Sequence, residues 1–384
     1  MKLKISKEQM LILLNSVGSV VDKRGNIPVL ANIKISVFND KVTLVGSDLE
    51  VELIASMKLE KGSCIQEGET TLPAKKLIDI FKALPSKSTA TIELTTPERC
   101  TVSSRPSKFT LGTLPADIYP LISANNSSAQ EPLCIQIPQY ELKRLFEKTS
   151  FAMAVQDVRY YLTGILLDYE SEILKAVATD GHRLAFCEAS VTANSRDNRQ
   201  VIIPKKGVAE LQRITGHVED VIQLILNREY LHMNITHKSR DDSADIEIKM
   251  TTKLIDGKFP DYRRVIPRNN HKQAILPCLE FKQTLNRAAI LSNEKLRGLN
   301  LSFEGTILTI QARNADQDEA IDHLDIKYED APMSIAFNGT YLTDALSCID
   351  SEEIVLEMGE ENQSILVKNP VDPTCCYVVM PMRL

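Results

Sequence analysis

Apolar residues recur along this chain in two rhythms, and each rhythm predicts a different element. A spacing of i, i+3, i+4, i+7 puts Met10, Leu13, Leu14 and Val17 on one face of a helix. The stripe returns at Leu142, Leu145 and Phe146, then at Phe281, Leu285, Ala288 and Ala289, with starts 132 and 139 residues apart. Ser6 and Gln9 spell a capping box before the first stripe, and Pro138 and Pro277 precede the others, a residue tolerated in a first helical turn. A second helical stripe follows each of these. It runs through Leu77, Ile80, Phe81 and Leu84, through Val208, Leu211 and Ile214, and through Leu342, Ala345, Leu346 and Ile349, at intervals of 131 and 134 residues.

Between the two helices of each set the rhythm shortens to that of strands, as in Val29 to Val45, Ile165 to Val177 and Leu299 to Ile310. Turn residues Asp48, Asp180 and Asn314 interrupt these strands 132 and 134 residues apart. Three features sharing one period of about 130 residues predict three copies of one α+β unit, antiparallel sheet packed on two helices. Polar junctions at Ser123 to Gln130 and Pro267 to Lys272 place the domains at 1–128, 129–270 and 271–384. Each copy closes on a proline-containing segment: Gly112 to Pro120, Asp256 to Arg264, and Tyr377 to Leu384. The last of these is apolar, which leaves two readings: it packs as a strand, or it lines something.

Composition narrows the class. Of 384 residues, 43% are hydrophobic and 25% charged, the profile of a globular protein. No leader-like segment opens the chain and no apolar run approaches the roughly 20 residues that span a bilayer, so the expectation is a cytoplasmic protein with no membrane partner. The eight cysteines are scattered without CxxC pairs, which predicts reduced packing residues, no metal and no cofactor. A net charge of −6 does not announce a nucleic-acid partner, but salt confines exposed charges to a reach of about 8 Å, so local arrangement matters more than the total.

Asp180 and His182 resemble an acid-base pair, but catalysis also needs a nucleophile or metal, and no GxSxG elbow, HExxH helix or glycine-rich phosphate loop accompanies them. Asp48 and Asn314 occupy equivalent turns with no histidine two residues on, so the turn is expected to serve folding and the protein to have no catalytic residues. A repeat-built interaction scaffold, with a docking pocket as its only function, is a further reading.

Five segments carry a resemblance: Gln156 to Leu162, Ala178 to Ala185, Phe259 to Val265, Ile290 to Lys295, and Val378 to Leu384. With the threefold repeat, they make the chain similar from end to end to the bacterial replicative sliding clamps, the beta subunits of DNA polymerase III. That resemblance implies three clamp domains per chain and two chains closed head to tail into a ring around duplex DNA. Two helices per domain would face the hole, with sheets outside. It implies tethering of the DNA polymerase III alpha subunit, service by a clamp loader, and docking of other clamp-motif polymerases and repair factors.

Basic residues lie on or beside the helix segments, among them Lys7, Lys75, Lys76, Arg144, Lys148, Lys205, Lys206 and Arg213. As a set they suit loose phosphate contact that positions without reading sequence. By resemblance, Arg24, Gln156, Tyr160 and Tyr161 touch DNA near the hole. The partner-peptide site would draw Leu162, Thr179, Gly181, His182, Arg183 and Leu184 from the second domain, with Pro260, Arg264 and Val265 from its closing segment. Asn338, Tyr341, Ser364 and the tail residues Val378, Val379, Met380, Pro381 and Met382 would complete it. Flexible methionines let one cleft repack around differing peptides. Leu296 departs from the family, whose forms carry phenylalanine there. The dimer contact would set Phe109 and Leu111 against Ile290 and Leu291, with Arg105 and Lys108 facing Asp316 and Glu319.

Overall fold

The computed structural model of the chain describes residues 1–22, 27–122, 131–238, 245–294 and 296–383. Among these, six strands run directly into six helices. Lys2–Ser6 leads into α1 (Lys7–Val17), Gly68–Pro73 into α2 (Ala74–Ala83), and Leu133–Pro138 into α3 (Gln139–Glu147). Arg199–Pro204 leads into α4 (Lys205–Ile214), Lys272–Pro277 into α5 (Cys278–Ala289), and Met333–Asn338 into α6 (Gly339–Leu346). Proline ends four of the six strands, at positions 73, 138, 204 and 277. Its fixed φ and missing N–H suit a place where extended chain becomes a helix whose first amides lack intrahelical partners. At the other two junctions a side chain caps instead. Ser6 Oγ accepts from Gln9 N at 3.1 Å, completing the capping box, and Asn338 Oδ1 accepts from Thr340 N at 2.9 Å.

The stripes point inward as expected. Met10, Leu13, Leu14 and Val17 of α1, Leu142, Leu145 and Phe146 of α3, and Phe281, Leu285 and Ala288 of α5 are buried, whereas Ala289 is half-buried. Burying one such Leu or Phe contributes about 1.5–3 kcal/mol, so each stripe fastens its helix to the sheet beneath. That approach is close under α1: a Cβ at Gly46 would stand 2.4 Å from the Val17 carbonyl oxygen, which leaves room only for glycine.

The turns between helices share one chemistry. Asp48 Oδ1 accepts from Glu50 N and Val51 N at 3.0 and 2.8 Å, and Asp180 Oδ1 accepts from His182 N and Arg183 N at 2.9 and 3.1 Å. In the third copy Asn314 Oδ1 accepts from Asp318 N at 2.9 Å. The short acidic or amide side chain satisfies backbone donors that the reversal leaves open. The closing segments are equivalent as well. Leu114 bridges Thr71, Ile255 bridges Ile202, and Met382 bridges Ala336, each on the strand that feeds the second helix of its repeat. The third segment packs as a strand over Cys375–Val379, and Met382 bridges beyond it.

The repeats are assembled into two compact units. One comprises Met1–Gln139, Thr192–Ser195 and Ala209–Leu254, with sheets of five and nine strands. In its larger sheet Ile246–Lys253 pairs antiparallel with Val51–Lys58, joining strands of the first and second repeats. The other comprises Tyr140–Val191, Arg196–Val208 and Ile255–Leu384, with sheets of nine and four strands. There Arg183–Ser190 pairs antiparallel with Cys375–Val379, joining the second and third repeats.

One expectation needs correcting. Cys187 and Cys375 stand opposite each other in that ladder and form a disulfide, while the other six cysteines are free. No local spacing announces the pair, because sheet pairing brings together residues 188 apart in sequence. Thiol titration of the denatured, unreduced protein should find six groups, rising to eight after reduction; eight at the outset would show the pair open.

Candidate functional site

Strand Ile173–Thr179 reverses into Arg183–Ser190 through a turn that the side chains hold rigid. Thr179 Oγ1 donates to the Arg183 carbonyl at 2.6 Å and accepts from Gly181 N at 3.1 Å. Gly181 sits at φ +90°, a left-handed conformation that disfavours any Cβ. Arg183 then ties the turn to its surroundings. Its guanidinium donates to Asp180 Oδ2 at 3.0 Å, Asp344 Oδ2 at 2.5 Å and the Phe151 carbonyl at 2.7 Å. It also lies over the Tyr341 ring at 4.6 Å and the Phe151 ring at 5.3 Å. His182 stacks on Tyr341 at 6.4 Å, and its carbonyl accepts from Met380 N at 2.9 Å. Burial, and after it the Asp180 carboxylate, raises the Tyr341 phenol above its usual range. Asp180 is thus occupied by Arg183 and by turn amides. The acid-base reading of Asp180 and His182 has no geometry behind it.

Next to this turn lies an apolar cluster. Leu162, Leu184, Leu366, Val378, Phe259 and Tyr262 are buried in it, with Tyr161, Ile255 and Ile266 packed against it. Tyr262 Oη donates to the buried Asp168 carboxylate at 2.7 Å, so the ring is seated in one orientation. One and two residues along the chain from cluster members Ile266 and Val378, Val265 and Met380 are 41% and 43% exposed. The predicted docking residues therefore divide into a floor and a rim. Leu162, Thr179, Leu184, Val378 and Val379 are buried; Gly181, His182, Pro260, Arg264, Val265 and Met380 are exposed; Arg183, Tyr341, Ser364, Pro381 and Met382 lie between. Asn338 is half-buried and spends its side-chain oxygen on capping α6. Phe151, Phe259, Tyr262, Asp344 and Leu366 complete the arrangement and were not among the expected residues. Phe259 and Tyr262 could have been found from their place in the closing segment, where Tyr119 packs with Val29 and Val45 in the first repeat.

Of the DNA-facing candidates, Gln156 is exposed at φ +55°, Tyr160 is 56% exposed, and Tyr161 packs on the cluster, the two rings meeting edge to face at 5.9 Å. Arg159 anchors their segment by donating to the Asp180 carbonyl at 3.1 Å, and its hydrogen bond to Asp157 holds that carboxyl down at about 2. Lys75, Lys76 and Lys205 are exposed at the starts of α2 and α4, and Lys206 is half-buried. Arg24 lies outside the described residues. Three of the wider basic set are held in ion pairs. Arg144 pairs with Glu141 and Asp372 at 2.9 and 3.2 Å, Lys148 with Asp350 at 2.5 Å, and Arg213 with Glu210 at 2.7 Å.

The candidate contact residues sit at two sheet margins and after α5. Ser107–Gly112 is the last strand of the five-stranded sheet, with Phe109 half-buried, Leu111 buried, and Arg105 and Lys108 exposed. Glu319–Asp325 is the last strand of the four-stranded sheet, with Asp316 and Glu319 exposed. Ile290 is 78% exposed after α5, and Leu291 is half-buried.

The structure thus combines a threefold repeat of sheets and paired helices with an apolar cluster beside a turn fixed by its own hydrogen bonds. Comparison with known proteins gives the family. Profiles of the N-terminal, central and C-terminal domains of the DNA polymerase III beta subunit match residues 1–123, 136–261 and 263–383. The beta sliding clamp of Pseudomonas putida is 39% identical over 380 residues, covering 99% of each chain, and that of Escherichia coli K12 is 38% identical over the whole of both. A crystal structure of the DNA polymerase III subunit beta from Pseudomonas aeruginosa superposes over both full chains with a TM-score of 0.92 at 39% identity. The chain belongs to the DNA polymerase III beta subunit family, the beta sliding clamps. It has the three clamp domains of that family and functions as a sliding clamp, a processivity factor of DNA replication that catalyses nothing itself. Sliding clamps encircle DNA and bind polymerase and other partners.

Proposed function

We propose that two copies of this chain join head to tail into a closed ring of six domains, bounded in each copy at 1–128, 129–270 and 271–384. A head-to-tail contact closes into a ring only when its rotation allows, and otherwise grows a filament. The observation that carries the reading is the pair of sheet margins. Ser107–Gly112 and Glu319–Asp325 each offer an unpaired strand edge, one flanked by Arg105 and Lys108, the other by Asp316 and Glu319. Unpaired edges are templates for strand addition, and opposite charges around them set register and speed encounter. Phe109 and Leu111 would meet Ile290 and Leu291 across that contact.

Within the ring, Arg24, Lys75, Lys76, Gln156, Tyr160, Tyr161, Lys205 and Lys206 touch the duplex backbone weakly, so that threading and not affinity retains the clamp. The surface around the Thr179–Arg183 turn, from Leu162 and Leu184 to Val265 and Met380, takes an apolar peptide segment from the polymerase III alpha subunit, the clamp loader, other clamp-motif polymerases and repair factors in the cytoplasm. The test is topological. The protein is loaded onto nicked circular DNA with a clamp loader, and the circle is then cut. Loss of the protein on linearisation is the expected result; undiminished binding would mean that the chain is a docking scaffold that never encloses DNA.

A further inference from the structure

A cavity of about 640 Å³ opens at residues 261–269, and Arg264 belongs both to its wall and to the proposed peptide site. Its other charged walls are Asp261, Arg263 and Arg268, and its apolar wall is Ile266, which packs on the cluster beneath the docking surface. The surrounding segment is basic within an acidic protein. Residues 255–272 hold Lys258, Arg263, Arg264, Arg268 and Lys272 against Asp256 and Asp261, a net +3 in a chain of net −6. The three arginines are not equally committed. Arg263 is held by Asp168 and Glu170 at 3.0 and 2.8 Å, and Arg264 leans on Asp261 at 3.0 Å with 87% of its side chain exposed. Arg268 is exposed and enters no ion pair among the described residues.

We propose that this cavity receives carboxylate side chains that flank the apolar docking segment of partner peptides, with Arg268 as the principal contact. The inference rests on the peptide-docking reading above and specifies which peptides that site prefers. A guanidinium presents paired N–H donors that match a carboxylate, and Arg268 has them unspent. Arg263 and Arg264 supply the positive surroundings while their own carboxylates keep them in place. A peptide is favoured over nucleic acid because the cavity shares a wall with the apolar surface.

The test uses the full chain and two fluorescent peptides that share one docking segment from the polymerase III alpha subunit, one flanked by Asp and Glu, the other by Asn and Gln. Anisotropy titrations should show the acidic peptide binding about 2- to 5-fold more tightly at low salt, the size of an exposed ion pair. That advantage should vanish in Arg268→Gln and shrink in 0.5 M salt, while the neutral peptide binds both proteins alike. Equal binding of both peptides, or an advantage that survives Arg268→Gln, overturns this inference alone. If neither peptide binds, the docking reading falls and takes this one with it. Loss of the advantage on adding a short duplex oligonucleotide would assign the cavity to nucleic acid and overturn the proposal.

Discussion

If two copies close the proposed ring, replacing Ile290 and Leu291 together by alanine should leave monomers. Ile290 follows the end of α5 and leaves 78% of its surface in water, so truncating it removes little from the fold of the single chain. Central apolar anchors cost about 2–4 kcal/mol when cut back, which weakens association some 30- to 1,000-fold. Sedimentation velocity at nanomolar to micromolar protein should show the mass falling by half, with the melting temperature of the chain little changed. An unchanged mass at low concentration would remove these residues from the contact. The same variant should fail to remain on uncut circular DNA, because an opened ring has nothing to thread.

The second large effect is expected from deleting the chain after Val379. Strand Cys375–Val379 keeps its pairing with Arg183–Ser190 and with Ile365–Lys368, so the nine-stranded sheet survives. What goes is Met380, nearly half exposed beside the rigid turn, its hydrogen bond to the His182 carbonyl, and the Met382 bridge to Ala336. If these residues form the rim of the docking surface, alpha-subunit peptides should bind roughly 100-fold more weakly, as when a hot-spot cluster is removed. Far-ultraviolet circular dichroism should be unchanged. Full affinity in the truncated protein would place the peptide elsewhere.

The helices, the three equivalent turns and the closing segments were legible in the sequence because each is written locally, in a stripe, a short polar residue or a proline. The partnering of strands was not. Nothing in Val51–Lys58 specifies that its neighbour is Ile246–Lys253, and periodicity reports which face of a strand is buried without reporting beside what. The Cys187–Cys375 bond was invisible for that reason, and so were the partners of Arg183. Asp344 lies 161 residues from it, and only the folded sheet shows that the arginine holds a turn together. Resemblance supplied the candidate docking residues, but it did not separate buried floor from exposed rim. Side-chain burial made that separation, and it moved Leu162, Leu184, Val378 and Val379 into the interior. Likewise, a basic residue on a helix reads the same in sequence whether it meets solvent or, like Arg144 and Arg213, an internal carboxylate.

The sheets that run from one repeat into the next bear on how this protein can be dissected. A fragment cut at either repeat boundary would lose a whole neighbouring strand and bare the main-chain donors and acceptors of a long hydrophobic ribbon. Such fragments should be insoluble or stick to one another. Studies of individual domains will therefore need substitutions in the intact chain, or cuts that spare both shared sheets.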